Sequence, residues 1–118
     1  MKENTRVEIT YDAAKMTARI CGEIDHHSAR EIRREIDDNF EASGAEALAL
    51  DMSRVRFMDS SGLGLILGRF SRVQASGGSF AVVDPSESVR RVLDIAGVGR
   101  IVDIRESAKR TPERAAIK

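Results

Sequence analysis

Asp59-Ser60-Ser61-Gly62 is the stretch of this sequence where residue types and spacing could do chemistry. Two hydroxyls beside a carboxylate raise the question of a nucleophilic serine. Such a serine needs a general base within hydrogen-bond reach, usually with a third group to orient it. The familiar Gly-x-Ser-x-Gly elbow is absent here. Only His26 and His27 could supply an imidazole, and their spacing does not tie them to the loop, so a catalytic pair is disfavoured. The adjacent histidines also make a poor metal site, because neighbouring side chains rarely meet at one ion and no Cys or spaced His completes a set. A serine at a helix N-terminus has another use. A phosphate attached there is favoured by free backbone N–H groups and the positive end of the helix dipole, so it can be carried without unfolding the helix. It would add nearly two negative charges beside Asp59 and repel any partner that docked on the neutral hydroxyl.

The elements around the loop fix its place. The apolar pair Phe57-Met58 leads in, and Asp-Ser-Ser-Gly has the chemistry of a helix cap. A helix is expected next, with Leu63, Ile66, Leu67, Phe70 and Val73 on its inward side. Its other face is expected to carry Gly64, Leu65, Gly68, Arg69 and Arg72. Each helix-interior glycine costs roughly 1 kcal/mol relative to alanine, which implies close approach by another backbone. That backbone belongs either to this chain, as helix-to-sheet packing at Gly68, or to a partner, the sharper reading for Gly64.

From the N-terminus, Val7, Ile9 and Tyr11 alternate with polar residues, and Met16, Ala18 and Ile20 repeat the pattern. The short Asp12-Ala13-Ala14-Lys15 joins these two strands as an antiparallel hairpin, and Gly22 is expected to end the second. Ser28-Ala29-Arg30-Glu31 reads as a capping box opening a helix to about Ala42, with Ile32, Ile36 and Phe40 buried and Gly44 as the stop. Ala45 to Leu50 has the length and weak alternation of an inner strand. After the loop and its helix, Ser76-Gly77-Gly78 breaks the pattern, and Phe80 to Val83 forms a further strand closed by Asp84-Pro85. Ser86 caps a helix with Val89, Val92, Leu93 and Ala96 inward, Gly97 ends it, and a last strand runs around Ile101 to Ile104. The tail from Glu106 to Lys118 is charged, and Thr111-Pro112-Glu113 suggests a short helix. This succession implies an α/β fold: a mixed, mostly parallel central sheet of about five strands, about four helices and the N-terminal hairpin. Ser60 falls in a βα loop at the carboxyl end of an inner strand, where such sheets place working sites.

Composition narrows the function. With 118 residues and 42% hydrophobic content, the chain has material for one core, and residues 1–118 are expected to form one domain. Nineteen basic and nineteen acidic side chains cancel, so neither nucleic acid nor an anionic membrane is an expected partner. The single Cys21 cannot form an internal disulfide and fits a reducing cytosol. The N-terminus lacks a signal-peptide core and no segment approaches the roughly 20 apolar residues of a membrane span, so a cytoplasmic protein is expected. No Walker-type phosphate cradle, repeat or cofactor motif is present, and any kinase activity is assigned to a partner.

Phe57-Met58-Asp59-Ser60-Ser61-Gly62-Leu63-Gly64, followed by Leu67-Gly68-Arg69, resembles the signature of anti-sigma factor antagonists, and Gly22-Glu23-Ile24-Asp25-His26-His27 matches as well. These are single STAS domains, and the resemblance is greatest to the sporulation type, over nearly the whole chain. It implies that Ser60 is the phosphorylated residue, that Ser61 shapes the loop, and that Asp25 lies nearby at a partner surface; together with Asp59 and Gly62 of the loop and Gly64, Leu65, Gly68 and Arg69 of the outward helix face, these are the expected partner-binding residues. It implies a non-enzymatic protein, monomeric when free. Its partners would be an anti-sigma factor that is also a serine kinase, bound when Ser60 is free and released when it is phosphorylated, and a serine phosphatase that resets the switch. The same signature could serve a STAS module in another bacterial signalling assembly.

Overall fold

The computed structural model describes residues 5–107. Strand β1 (Arg6–Asp12) turns back at Ala13 and Ala14 into β2 (Lys15–Ile24), pairing antiparallel from Arg6 with Cys21 to Asp12 with Lys15. Ala13 takes the turn at a φ of 56°. Helix α1 (His26–Ser43) leads to β3 (Ala47–Met58), α2 (Ser60–Ala75) to β4 (Ser79–Val83), and α3 (Glu87–Ala96) with a 3-10 turn (Val98–Arg100) to β5 (Asp103–Arg105). The sheet order is β1-β2-β3-β4-β5, and every pairing after the first is parallel. The expected mixed, mostly parallel sheet with its N-terminal hairpin is therefore present. The described residues hold three α-helices in place of about four. The short helix expected near Thr111-Pro112 lies outside the described residues.

Met16, Ala18 and Ile20 of β2 and Leu48, Leu50 and Met52 of β3 form the buried centre of the sheet. Ile32, Ile36 and Phe40 of α1 close over it, spaced four apart as one helical stripe requires. Each such side chain contributes on the order of 1.5–3 kcal/mol by leaving water. Helices α1 and α2 pack against each other, α1 touching β2 and α2 touching β4. Cys21 is buried, as its apolar surroundings suggest.

Several boundaries differ from the sequence reading. Gly22 does not end β2. It adopts a φ of 111° within the strand, where the register against β3 shifts between Gly22 and Glu23, and pairing continues to Ile24 with Met58. Strand β3 begins at Ala47 and runs eight residues beyond Leu50, to Met58. Only its first half, Ala47 to Asp51, pairs with β4. Along the second half, Ser86 donates its N–H to the Met52 carbonyl at 3.1 Å and its hydroxyl to the Val55 carbonyl at 2.7 Å. The start of α3 thus covers the backbone that β4 leaves open. In α3, Val89 and Leu93 are buried and Val92 is half-buried, whereas Ala96 is exposed. The last strand starts later than expected, at Asp103, leaving Ile101 in an exposed turn.

Candidate functional site

Two neighbouring parallel strands end in register, and each hands the chain to a helix through an aspartate. Ile24 of β2 pairs with Met58 of β3, and the Asp59 N–H donates to the Ile24 carbonyl at 3.1 Å. The next residues, Asp25 and Asp59, are the N-caps of α1 and α2. The positive ends of both helix dipoles therefore meet at the carboxyl ends of two inner strands.

Each aspartate is used. Asp25 Oδ1 accepts from the His27 N–H at 3.1 Å, the Ser28 N–H at 2.9 Å and the Ser28 hydroxyl at 3.1 Å, while the Asp25 N–H donates to Ser28 Oγ at 3.0 Å. The capping box expected to open at Ser28 thus opens three residues earlier, with Asp25 as the cap and the buried Ser28 as its third helical residue. Serine can answer the N-cap here in the place usually taken by Glu or Gln. Asp59 Oδ1 accepts from the Ser61 N–H at 2.8 Å, and the Gly62 N–H donates to the Asp59 carbonyl at 2.9 Å. Ser60, the first residue of α2, is exposed, and Ser61 is half-buried. Glycine at 62 has a steric cause: a Cβ there would lie 2.1 Å from Met58 Cγ and 2.3 Å from its Sδ.

The expected faces of α2 require correction. Leu65 is 4% and Arg69 7% exposed, so neither lies on an outward face. Ile66 and Val73 are buried, while Leu63, Leu67 and Phe70 are half-buried. The reason is α1: α2 has a second buried side, turned toward its neighbouring helix, which the apolar pattern of α2 alone does not disclose. Arg69 Nε lies 2.8 Å from Asp37 Oδ1 of α1. The contact is electrostatic, since Nε has no hydrogen-bond partner of good geometry among the described residues. Burial lowers the Arg69 pKa below its ordinary value. Asp37 opposes that shift, and the positive charge of Arg33 adds to it. Arg72 extends the link, reaching Asp37 at 3.9 Å and pairing with Glu41.

Gly64 and Gly68 do remain open. A methyl built at either would meet no atom within 4 Å apart from its own stretch of helix, which removes internal close packing as the reason for Gly68. Both lie in a groove of about 320 Å³ between the helices, which His26, Arg30 and Arg33 line from α1 and Ser61 and Arg69 from α2. A larger hollow of about 630 Å³ lies at the opposite end of the sheet, beside Gly44 and Gly77, away from the serines.

Acyl-transfer chemistry gains nothing from this geometry. His26 and His27 stack on each other with ring centroids 4.1 Å apart, and neither is hydrogen-bonded to Ser60 or Ser61 among the described residues. No cluster of three metal-ligating side chains occurs among the described residues. None of the described helices is long and apolar enough to cross a membrane. What the arrangement offers is an exposed Ser60 at a capped helix start, next to Ser61, which lines an open groove.

Comparison with known proteins agrees with this architecture. The family described as STAS domain matches residues 4–110. The anti-sigma F factor antagonist of Paenibacillus polymyxa is 36% identical over 101 residues, 86% of each chain. The anti-sigma-B factor antagonist of Bacillus subtilis is also 36% identical over 101 residues, 86% of this chain and 91% of that one. The structure of the anti-sigma factor antagonist SpoIIAA in its unphosphorylated form superposes with a TM-score of 0.72 at 29% identity, covering 97% of each chain. Bacillus SpoIIAA in its phosphorylated form gives 0.68 at 28% identity, covering 94% of this chain and 98% of that one. The chain belongs to the STAS domain family, among its anti-sigma factor antagonists.

Proposed function

We propose that this chain is a phosphorylation-controlled binding module in which Ser60 is the acceptor. With Ser60 free it docks on an anti-sigma factor that is also a serine kinase, and the sigma factor is released. That kinase then transfers phosphate from ATP to Ser60, binding is lost, and a serine phosphatase restores the free hydroxyl. The chain is a substrate and not a catalyst, and it works in the cytoplasm as a monomer when free. The observation that carries this reading is the exposure of Ser60 at the first position of α2, with its cap supplied by Asp59 and not by its own hydroxyl. Modification there leaves the fold's hydrogen bonds untouched. The relatives that are antagonists of anti-sigma F and anti-sigma-B factors, and the existence of a phosphorylated SpoIIAA, support the same cycle.

The docking face on this reading is Ser60 and Ser61 with the groove floor of Gly64 and Gly68. Asp25 and Asp59 hold the two helix starts in register at its edge, and Gly62, Leu65 and Arg69 act from beneath by fixing α2 against Met58 and α1. Incubation with the anti-sigma factor kinase and ATP, followed by phosphopeptide mass spectrometry, tests the assignment. One site at Ser60 is expected. Label chiefly on Ser61, Ser53, Ser71 or Ser76 would sink it.

A further inference from the structure

Charge is sorted on α1 in a way its composition does not foretell. The helix carries Arg30, Arg33 and Arg34 against Glu31, Glu35, Asp37, Asp38 and Glu41, a net acidic set. Yet its groove-lining side chains are His26, Ala29, Arg30 and Arg33, with no carboxylate among them. His26, Arg30, Arg33 and Asp37 are spaced four, three and four residues apart, so they form one stripe, and its acidic member Asp37 is taken by Arg69. Arg30 and Arg33 are exposed, and neither has a carboxylate within 4 Å among the described residues. The opposite wall adds a third guanidinium, Arg69, close enough to Arg33 for the two like charges to oppose each other. Arg30 and Arg33, three residues apart on the helix, repel each other beside the bare glycines Gly64 and Gly68. An anion entering the groove would relieve that repulsion and find a surface on which a backbone can approach closely.

We propose that the groove between α1 and α2 receives an acidic segment of the anti-sigma factor, whose carboxylates pair with Arg30 and Arg33 while its backbone lies over Gly64 and Gly68. This rests on the reading of the chain as an anti-sigma factor antagonist and adds the chemistry of the partner surface. Ser60 controls whether docking occurs, and the arginine stripe sets the orientation of the docked segment.

The test is titration calorimetry of the full chain against the purified anti-sigma factor kinase at several chloride concentrations. The proteins compared are wild type, Arg30→Gln, Arg33→Gln, Arg33→Lys and the control Arg34→Gln, which alters an exposed arginine of α1 outside the groove. Arg30→Gln and Arg33→Gln should each weaken binding on the order of tenfold and flatten its salt dependence, with Arg33→Lys recovering part of the loss and Arg34→Gln unchanged. Melting temperature should stay level or rise for Arg33→Gln, since Arg69 loses a like charge, which separates a contact role from a structural one. If wild type binds while both glutamine variants bind equally well, or Arg34→Gln weakens as much as they do, the groove assignment falls and the antagonist reading stands. If wild type itself does not bind, both fall. Displacement of the partner by sodium phosphate beyond that by chloride of equal ionic strength would make the groove a phosphate site and overturn the acidic-segment assignment.

Discussion

Gly68→Ala separates folding from docking with one methyl group. In the free chain the new Cβ would meet nothing within 4 Å apart from its own helix, so no clash opposes it. Replacing an interior helical glycine with alanine then gains about 1 kcal/mol through helix propensity. For a domain near this size that raises the melting temperature by roughly 3–5 °C. The same methyl stands on the floor of the groove, where a partner backbone in contact with Gly68 would have to retreat. Overpacking of that kind costs about 1–3 kcal/mol, a loss of affinity between about fivefold and about 150-fold. Thermal and urea unfolding followed by circular dichroism give the first number, and titration calorimetry against the anti-sigma factor gives the second. A variant that melts earlier than wild type would show that the free chain needs the glycine. A variant that is stabilised yet binds with unchanged affinity would remove the groove floor from the docking face.

Gly62→Ala should behave oppositely, because its Cβ falls 2.1 Å from Met58 Cγ and Met58 is 3% exposed; a loss of about 1–3 kcal/mol is expected in urea unfolding. Leu65→Ala empties a site that is 4% exposed and should cost roughly 2–5 kcal/mol, more than Leu67→Ala at a half-buried position; equal stability of the two would contradict the burial described for α2. Ser60→Asp should fold within about 1 kcal/mol of wild type, since a helix N-terminus accepts negative charge, and a molten variant would show Ser60 to be structural. The fourth test concerns Asp51. Its burial raises its pKa, but hydrogen bonds from the Ser53 hydroxyl and N–H, together with Arg19, outweigh this and leave it below the ordinary 3.8. A lowered folded pKa means that the unfolded chain takes up the proton first. Asp51 therefore stabilises fully above the ordinary carboxylate range, and its contribution disappears as pH falls through the folded value. Asp51→Asn should lower stability at neutral pH and flatten the fall in melting temperature on acidification below about pH 5; an unchanged acid profile would discount the Ser53 and Arg19 contacts.

The sequence reading was strongest where one physical signal acts alone. Ile32, Ile36 and Phe40 keep the four-residue spacing of a single helical stripe, and that spacing announced α1 and its buried side. The glycine stop at Gly44, with φ 70°, was equally plain. Strand β3 was half missed because Ser53, Arg54 and Arg56 look like loop, and register shifts against β2 spread its buried residues Met52, Val55 and Met58 to every third position, breaking the period of two. Leu65 and Arg69 were misplaced because α2 buries two sides, one on the sheet and one on α1, and the second depends on a helix 30 residues away in sequence. The Asp37 partner of Arg69 carried no local signal at all. At the site, the cap chemistry of Asp59 was readable from sequence, whereas the junction of two helix starts was not, because it depends on Ile24 pairing with Met58 across the sheet.

The most direct measurement of the central claim is calorimetric titration of the anti-sigma factor with the chain in two states, unmodified and phosphorylated at Ser60 as verified by mass spectrometry. Both forms should show the same circular dichroism. The account predicts tight binding by the unmodified chain and binding on the order of a hundredfold weaker by the phosphorylated one, the ~3 kcal/mol of an uncompensated charge at an interface beside Asp59. Equal affinities of the two forms would contradict it.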